Sequence, residues 1–352
     1  RQLWLPLNEG TGSTTFADTS LLGHDATCSG SACPTAGADG YFIRAAEFDG
    51  TDDRLISQVD LSEENYTLLL WFRSSHDHCG IVSAVNTRNH RHDRDLYLEN
   101  GNLCAQLGRG SAREILCTSG TDYADGAWHM VAHTFGGAQG VQRLYVDGAR
   151  EAAGQVSTSN LSGQDAFYVG YAPAANQAYF EGQVDELEIF PRVLDEDEVT
   201  ERFKEPVFHA TFSASDASGY QDATSHGHQI DCALRFSPTG MTTLCPNSGE
   251  AGIIGESASF NRQSYLTLSS SDDSLNLRRG DGHFTLSAWV YPRRQDNRWR
   301  GIFGHEDHDH PERSYPSLYA KGSERRFKAA FGNGTQVCEV TSDYNALTRN
   351  TW

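Results

Sequence analysis

Phe16-Ala17-Asp18, followed by Gly23-His24 and Cys28, recurs with identical spacing as Tyr220-Gln221-Asp222, followed by Gly227-His228 and Cys232. Working outward, Ala46-Glu47-Phe48-Asp49 matches Ala258-Ser259-Phe260-Asn261. Tyr66-Thr67-Leu68-Leu69-Leu70-Trp71 matches Phe284-Thr285-Leu286-Ser287-Ala288-Trp289. Cys117 with Asp122-Tyr123 matches Cys338 with Asp343-Tyr344, and Trp128 aligns with Trp352. The offset grows from 204 residues at Phe16 to 224 at Trp128, as loop insertions produce. Self-similarity over that length means two copies of one structural unit. The expected domains are residues 1–205 and 206–352, with the second cut short and the native chain continuing beyond Trp352.

The first copy runs on through Met130 to Phe135, Gln142 to Gly148, Phe167 to Gly170 and Gly182 to Phe190, a stretch with no counterpart in the second. These are short segments of alternating apolar and polar residues punctuated by Gly, Asp and Asn, the pattern of half-buried antiparallel strands. Asp147-Gly148 is a hairpin signal. A single short helix is predicted, with Asp195 as cap and Glu198 at its third position. Many short strands in about 200 residues per copy predict an all-β fold of two tandem antiparallel jelly-roll sandwiches.

Lys plus Arg number 28 against 47 Asp plus Glu, giving a formal charge of -19, which repels phosphate backbones and argues against nucleic acid and anionic membrane as partners. No window reaches 18 consecutive apolar residues, so no membrane insertion is expected. Eight cysteines and the sequons at Asn65, Asn160 and Asn333 favour an oxidising, secreted or cell-surface setting. Cys28 with Cys33, and Cys232 with Cys245, occupy the same insert in each copy and are expected to close small loops. Cys104 and Cys117 flank a predicted hairpin, whereas position 328 in the second copy is Lys. Cys79 and Cys338 have no such partner; bonding to each other and bonding of Cys338 beyond the chain both stay open.

Taken in order, Phe48-Asp49-Gly50, Tyr66 to Phe72, Ala127 to Ala132, Leu144 to Gly148 and Phe180 to Leu194 resemble the laminin-G-like, concanavalin A-like lectin/glucanase superfamily. The resemblance covers the first copy and about two thirds of the second, and it implies a concanavalin A-like jelly roll. It does not imply one function, because function lives in sites grafted on folds. It further implies one structural calcium per domain, held by an early aspartate and by the aspartate of the closing strand. Those positions are Asp18 and Asp185, and Asp222 in the second copy. Calcium takes six to eight oxygens, so backbone carbonyls must complete such a set. Asp-Thr-Ser and Asp-Ala-Thr are equally the sequences of local turns. Asp49, Asp52 and Asp53 form a second acidic cluster, ranked below because only Asp49 has a polar counterpart, Asn261.

The closing strand also raises the question of catalysis. Strict alternation in Val184-Asp185-Glu186-Leu187-Glu188-Ile189 puts Glu186 and Glu188 on one face and Asp185 on the other. The related glucanases carry three acids at alternate positions, and here the third is Phe190. No G-x-S-x-G, H-E-x-x-H or phosphate-cradling glycine loop is present, so the chain is read as a non-enzyme. His90, His92 and Asp93, and His305, His308 and His310, fall in corresponding loops after the Trp71 and Trp289 segments. Near Tyr97, Tyr315 and Tyr319, they are the candidate binding loops.

The expected function is a non-catalytic extracellular adhesion or recognition module for glycan or extracellular protein, with calcium as a structural ion. A structural subunit assembling with copies of itself in a fibre or matrix is the alternative. A glycosidase using Glu186 and Glu188 is the third reading.

Overall fold

The computed structural model describes the chain apart from residues 111–112, 137–139, 157–160, 162, 205–207, 213–219, 223, 225–227, 238–239, 253–255, 262–263, 270–285, 294–296, 305–315 and 333–335. The chain divides into two compact units, Arg1–Pro206 and Val207–Trp352.

The first unit is a sandwich of two eight-stranded antiparallel sheets. One sheet runs β14 (Ala149–Gln155), β13 (Val141–Val146), β12 (Trp128–Gly136), β7 (Tyr66–Arg73), β16 (Glu181–Phe190), β5 (Arg44–Asp49) and β4 (Thr35–Asp39), with β1 (Leu3–Leu5) also paired to β16. The other runs β11 (Glu114–Cys117), β10 (Asn102–Leu107), β9 (His92–Glu99), β8 (His78–Val85), β15 (Ala166–Val169), β6 (Leu55–Ser57), β3 (Ala26–Thr27) and β2 (Thr15–Phe16). Alternation decides which side chains meet between them. On β7, Tyr66, Leu68, Leu70 and Phe72 enter the core, against Ile81 of β8, Leu96 and Leu98 of β9 and Leu103 of β10.

The opposite side of β7 is apolar as well, because a helix covers it. Helix α1 (Glu196–Phe203) starts at Asp195, whose carboxylate accepts from the Glu198 amide while the Glu198 side chain accepts from the Asp195 amide. Val199 and Phe203 then pack on Leu69, Trp71, Met130 and Tyr145. The Trp71 ring stacks on Tyr41 at 3.5 Å between centroids. Burial on both faces explains why residues 66–72 read as a continuous apolar run.

Disulfides join Cys28 to Cys33, Cys104 to Cys117 and Cys232 to Cys245. The second crosses directly between register partners on β10 and β11.

The second unit holds smaller antiparallel sheets. β17 (Ala210–Thr211), β18 (Gln221–Asp222), β19 (Gln229–Ser237) and β20 (Gly240–Leu244) form one path, with β23 (Leu266–Ser269) also on β19. β21 (Asn247–Ala251) pairs β22 (Glu256–Ser259), and β24 (Trp299–Phe303), β25 (Ser317–Lys321), β26 (Arg326–Gly332) and β27 (Val337–Thr341) form a four-stranded meander. A second complete jelly roll is not evident among the described residues. Leu286 to Trp289, expected from the sequence to correspond to β7, lie outside any strand, and Trp289 is 48% exposed. In the first unit the ladder partners of β7 are β12 and β16. Register also separates the cysteines. Lys328 faces Thr341 where Cys104 faces Cys117, and Cys338 faces Phe331 instead.

Candidate functional site

β5 ends at Asp49, and a tight turn returns the chain to β6. Phe48, fully buried, anchors the start of that turn. The Asp49 carboxylate accepts from the Thr51 amide at 2.8 Å, and Asp53 accepts from the Asp49 amide at 2.9 Å. Asp52 accepts from the Ser31 hydroxyl at 3.0 Å. One oxygen from each of Asp49, Asp52 and Asp53 lies within 4.8 Å of the others. Gly50 makes this possible: its φ is +75°, and a Cβ there would meet the Glu181 side chain at 2.9 Å. Glu181 stands directly opposite Asp49 in the ladder, so a fourth carboxylate borders the cluster.

Asp53 is only 4% exposed. Its burial, and then the charges of Asp49 and Asp52 against the opposing Asp49 amide bond, push its pKa up to about 6. Three carboxylates this close, with oxygen donors alone, could hold a hard divalent cation such as calcium.

Asp18 is used differently. Its carboxylate accepts from the amides of Trp4, Ser20 and His24 and from the Ser20 hydroxyl, all within 3.0 Å. Burial alone would raise its pKa, but these donors outweigh it and hold the carboxyl below its ordinary value. Asp222 is bound in the same way by the amides of His209, Thr224 and His228 and by the Thr224 hydroxyl. Asp185 is buried and accepts from the amides of Phe42 and Glu186. The donors on Asp18 and on Asp185 thus come from different segments of the chain.

The alternation expected through β16 fails at a bulge. Asp185 faces Trp71 and Glu188 faces Leu69, so one extra residue sits between them, and Glu186 has a φ of +47°. Val184, Leu187 and Ile189 therefore all point into the core, while Asp185 and Glu188 share the outer side. What the bulge changes is Asp185, which joins Glu188 on the outer side. Glu186 also reaches that side, to the indole of Trp4, the ladder partner of Glu188, and burial, with the Glu188 charge added, raises the Glu186 pKa. Glu186 accepts from the Trp4 indole at 2.8 Å, and Glu188 is ion-paired with both Arg1 and Arg202.

The candidate histidine loop also separates. His90 is exposed in a turn with its amide on the Asn86 carbonyl, whereas His92 and Asp93 begin β9. His92 Nδ1 lies 2.6 Å from Asp95, a hydrogen bond that raises its pKa against burial. Asp93 is buried and accepts from Arg94. His305, His308, His310, Asn160 and Asn333 lie outside the described residues. Asn65 is half-buried, and Thr67 of its sequon is buried with its hydroxyl on the Arg192 carbonyl.

Sequence reading missed a group of tyrosines on the outward face of the second sheet. Tyr168 and Tyr171 are 6.0 Å apart, Tyr171 and Tyr179 5.0 Å, and the Arg54 guanidinium donates to the Tyr179 hydroxyl. The hairpin carrying Tyr171 and Tyr179 is seated on Gly80 of β8, whose amide donates to the Gln177 carbonyl. A Cβ at position 80 would lie 2.3 Å from the Ala178 carbonyl, so Gly80→Ala is expected to destabilise the unit by about 1–3 kcal/mol in urea unfolding. The tyrosine spacing in Tyr168-Val169-Gly170-Tyr171 was the available signal, but only the ladder reveals what stands beside it.

Residues 48–200 match the family described as the concanavalin A-like lectin/glucanases superfamily. No curated relative matches the chain. Among solved structures, a native heptameric SAP-like pentraxin from Limulus polyphemus is 17% identical, covering 45% of this chain and 80% of its own, with a TM-score of 0.38. A botulinum neurotoxin serotype D binding domain is 11% identical over 94% of this chain and 86% of its own, with a TM-score of 0.46. A Ruminococcus gnavus IT-sialidase CBM40 bound to alpha2,3 sialyllactose is 17% identical over 40% and 83%, with a TM-score of 0.34. Residues 48–200 form a concanavalin A-like lectin/glucanase domain of the laminin-G type.

Proposed function

We propose that this chain is a non-catalytic extracellular recognition module for glycan or extracellular protein, with calcium at Asp49, Asp52 and Asp53 as its structural ion. The observation that carries the cation is the convergence of three carboxylates within 4.8 Å on a glycine-dependent turn. The non-catalytic reading rests on the closing strand, where Glu186 is bonded to the Trp4 indole and Glu188 is ion-paired with Arg1 and Arg202. Three disulfides and a laminin-G domain favour an extracellular or cell-surface setting. Assembly with copies of itself stays the alternative use of the same fold.

Two laminin-G-like domains, divided near residues 205 and 206, belong to this reading. Asp18 and Asp222 gather equivalent donors, from an upstream segment and from positions two and six residues onward. Ala26 pairs Ser57 in the first unit as Ile230 pairs Leu268 in the second. By that register Ser264 stands where Asp53 does, so among the described residues the acidic cluster belongs to the first unit.

Calcium at about 100 times its dissociation constant stabilises by about 2.7 kcal/mol, which raises the melting temperature by roughly 5–10 °C in a unit of this size. The test is calcium titration of thermal melting on the full chain. Asp52→Asn should abolish the rise and Asp18→Asn should keep it. The opposite pattern returns the ion to Asp18 and Asp185, and no rise in any variant removes calcium from the proposal.

A further inference from the structure

One row of side chains crosses the outward face of the second sheet. The ladder sets Tyr168 opposite Ser83, Ser83 opposite Asp95, and Asp95 opposite Gln106. Ile56 and Ile115 close the row at its two ends. At the spacing of neighbouring strands, Tyr168 to Gln106 spans roughly 14 Å. Ser83 is 0% and Asp95 3% exposed. Both are incompletely satisfied: the Ser83 hydroxyl and Asp95 Oδ1 have no hydrogen-bond partner among the described residues, while Asp95 Oδ2 holds His92. A buried oxygen without a partner costs about 1–3 kcal/mol, so two of them facing each other across a ladder call for something that fills them.

What lies over them is aromatic and half-buried. Tyr171 is within electrostatic reach of Asp95, and it touches Tyr168 and Tyr179. We infer that this row is the ligand-binding face of the module and that its ligand is a neutral oligosaccharide, one ring stacked on Tyr168 and Tyr171 and its hydroxyls bonded to Ser83 and Asp95 as Tyr171 moves aside. The chemistry selects this class. A carboxylate at the floor accepts from sugar hydroxyls and repels carboxylate or sulfate, as does a chain of charge -19. Flat aromatic rings beside hydroxyl-bonding groups suit the apolar and polar faces of a pyranose. A peptide strand pairs instead with a sheet edge, and the main-chain groups here are already bonded within the ladder.

The inference deepens the recognition reading and rests on it, but not on the cation. Isothermal titration of the full chain with cellohexaose, mannohexaose, laminarihexaose and lactose, with sialyllactose as the charged control, tests it in calcium and in EDTA. At least one neutral sugar should bind, and sialyllactose should not. Ser83→Ala is the decisive variant. It removes an unpartnered buried hydroxyl, so the melting temperature should hold or rise while binding weakens roughly two- to ten-fold. Tyr168→Ala should weaken it further. No binding by any neutral sugar, or binding unchanged in both variants, overturns the inference. Since calcium is read as a melting shift, sugar binding without that shift overturns only the cation reading. A calcium shift without sugar binding overturns only the face.

Discussion

Replacing Arg94 with leucine is expected to destabilise the first unit by about 3–5 kcal/mol, lowering its melting temperature by roughly 10 °C. Arg94 is 3% exposed on β9, on the same side of the strand as the core residues Leu96 and Leu98. Its guanidinium donates to the Asp93 carboxylate at 2.9 Å and to the carbonyls of Leu61 and Ser62. Leucine would fill much of the stem's volume but leave a buried carboxylate, the buried Leu61 carbonyl and the half-buried Ser62 carbonyl without that donor. The cost therefore comes from groups left unpaired, not from lost apolar contact. Arg94→Leu combined with Asp93→Asn should recover a large part of the loss, because the uncompensated charge is gone. Urea unfolding followed by tryptophan fluorescence measures both. A single variant within 1 kcal/mol of the parent would show that the guanidinium is not holding the segment before β7.

Strand order was beyond the sequence, but the strands were not. The continuous apolar run of Tyr66 to Phe72 reflects burial on both faces, and the alternation of Leu144 to Val146 reflects which side chains enter the core; both are local chemistry. The bulge at Asp185 and Glu186 is different. It stands where β16 changes neighbours on one edge, from β5 up to Val184 to β1 from Leu187, and where Trp4 reaches Glu186. Nothing within Val184 to Ile189 announces that change, so strict alternation set Asp185 on the face opposite Glu188, whereas the two share the outer side. Ranking Asp49, Asp52 and Asp53 below Asp18 followed the symmetry of the repeat. Such matching finds what the two segments share, which is the turn bonded around Asp18 and Asp222. Asp52 and Asp53, which have no acidic match, are invisible to that test. The row from Tyr168 to Gln106 joins residues from four strands, and only pairing brings them together.

Acidification should expose a buried histidine. His133 is 3% exposed on β12, with Nδ1 3.1 Å from the Tyr66 hydroxyl and Nε2 3.2 Å from the Gln142 amide oxygen. A neutral ring satisfies both contacts if Nε2 donates to Gln142 and Nδ1 accepts from Tyr66. Burial, partly offset by Gln142, lowers the His133 pKa from 6.5 to about 4. The unfolded chain then binds this proton first as pH falls. The stability His133 supports is fully present above pH 6.5 and is lost between about 6.5 and 4, amounting to roughly 3 kcal/mol. Four residues earlier on the same strand the sign reverses. His129 lies between Asp147 at 2.8 Å and Asp125 at 3.2 Å, and the Asp147 bond leads the causes that raise its pKa. Its contribution is therefore complete below 6.5 and fades as pH rises through the higher folded value. Asp185 and Glu186, raised chiefly by burial, also favour the folded state on acidification, so the parent's profile mixes opposing slopes. The difference between the parent and His133→Gln isolates one group, since glutamine can still accept from Tyr66. That difference should change by about 3 kcal/mol between pH 7 and pH 4. The imidazole resonances should separate the two histidines directly, with His129 titrating above 6.5 and His133 unchanged down to about pH 5. A His133 ring that titrates near 6.5 would mean that water or a charge reaches the Tyr66–Gln142 site, and the acid sensitivity would then have to come from elsewhere.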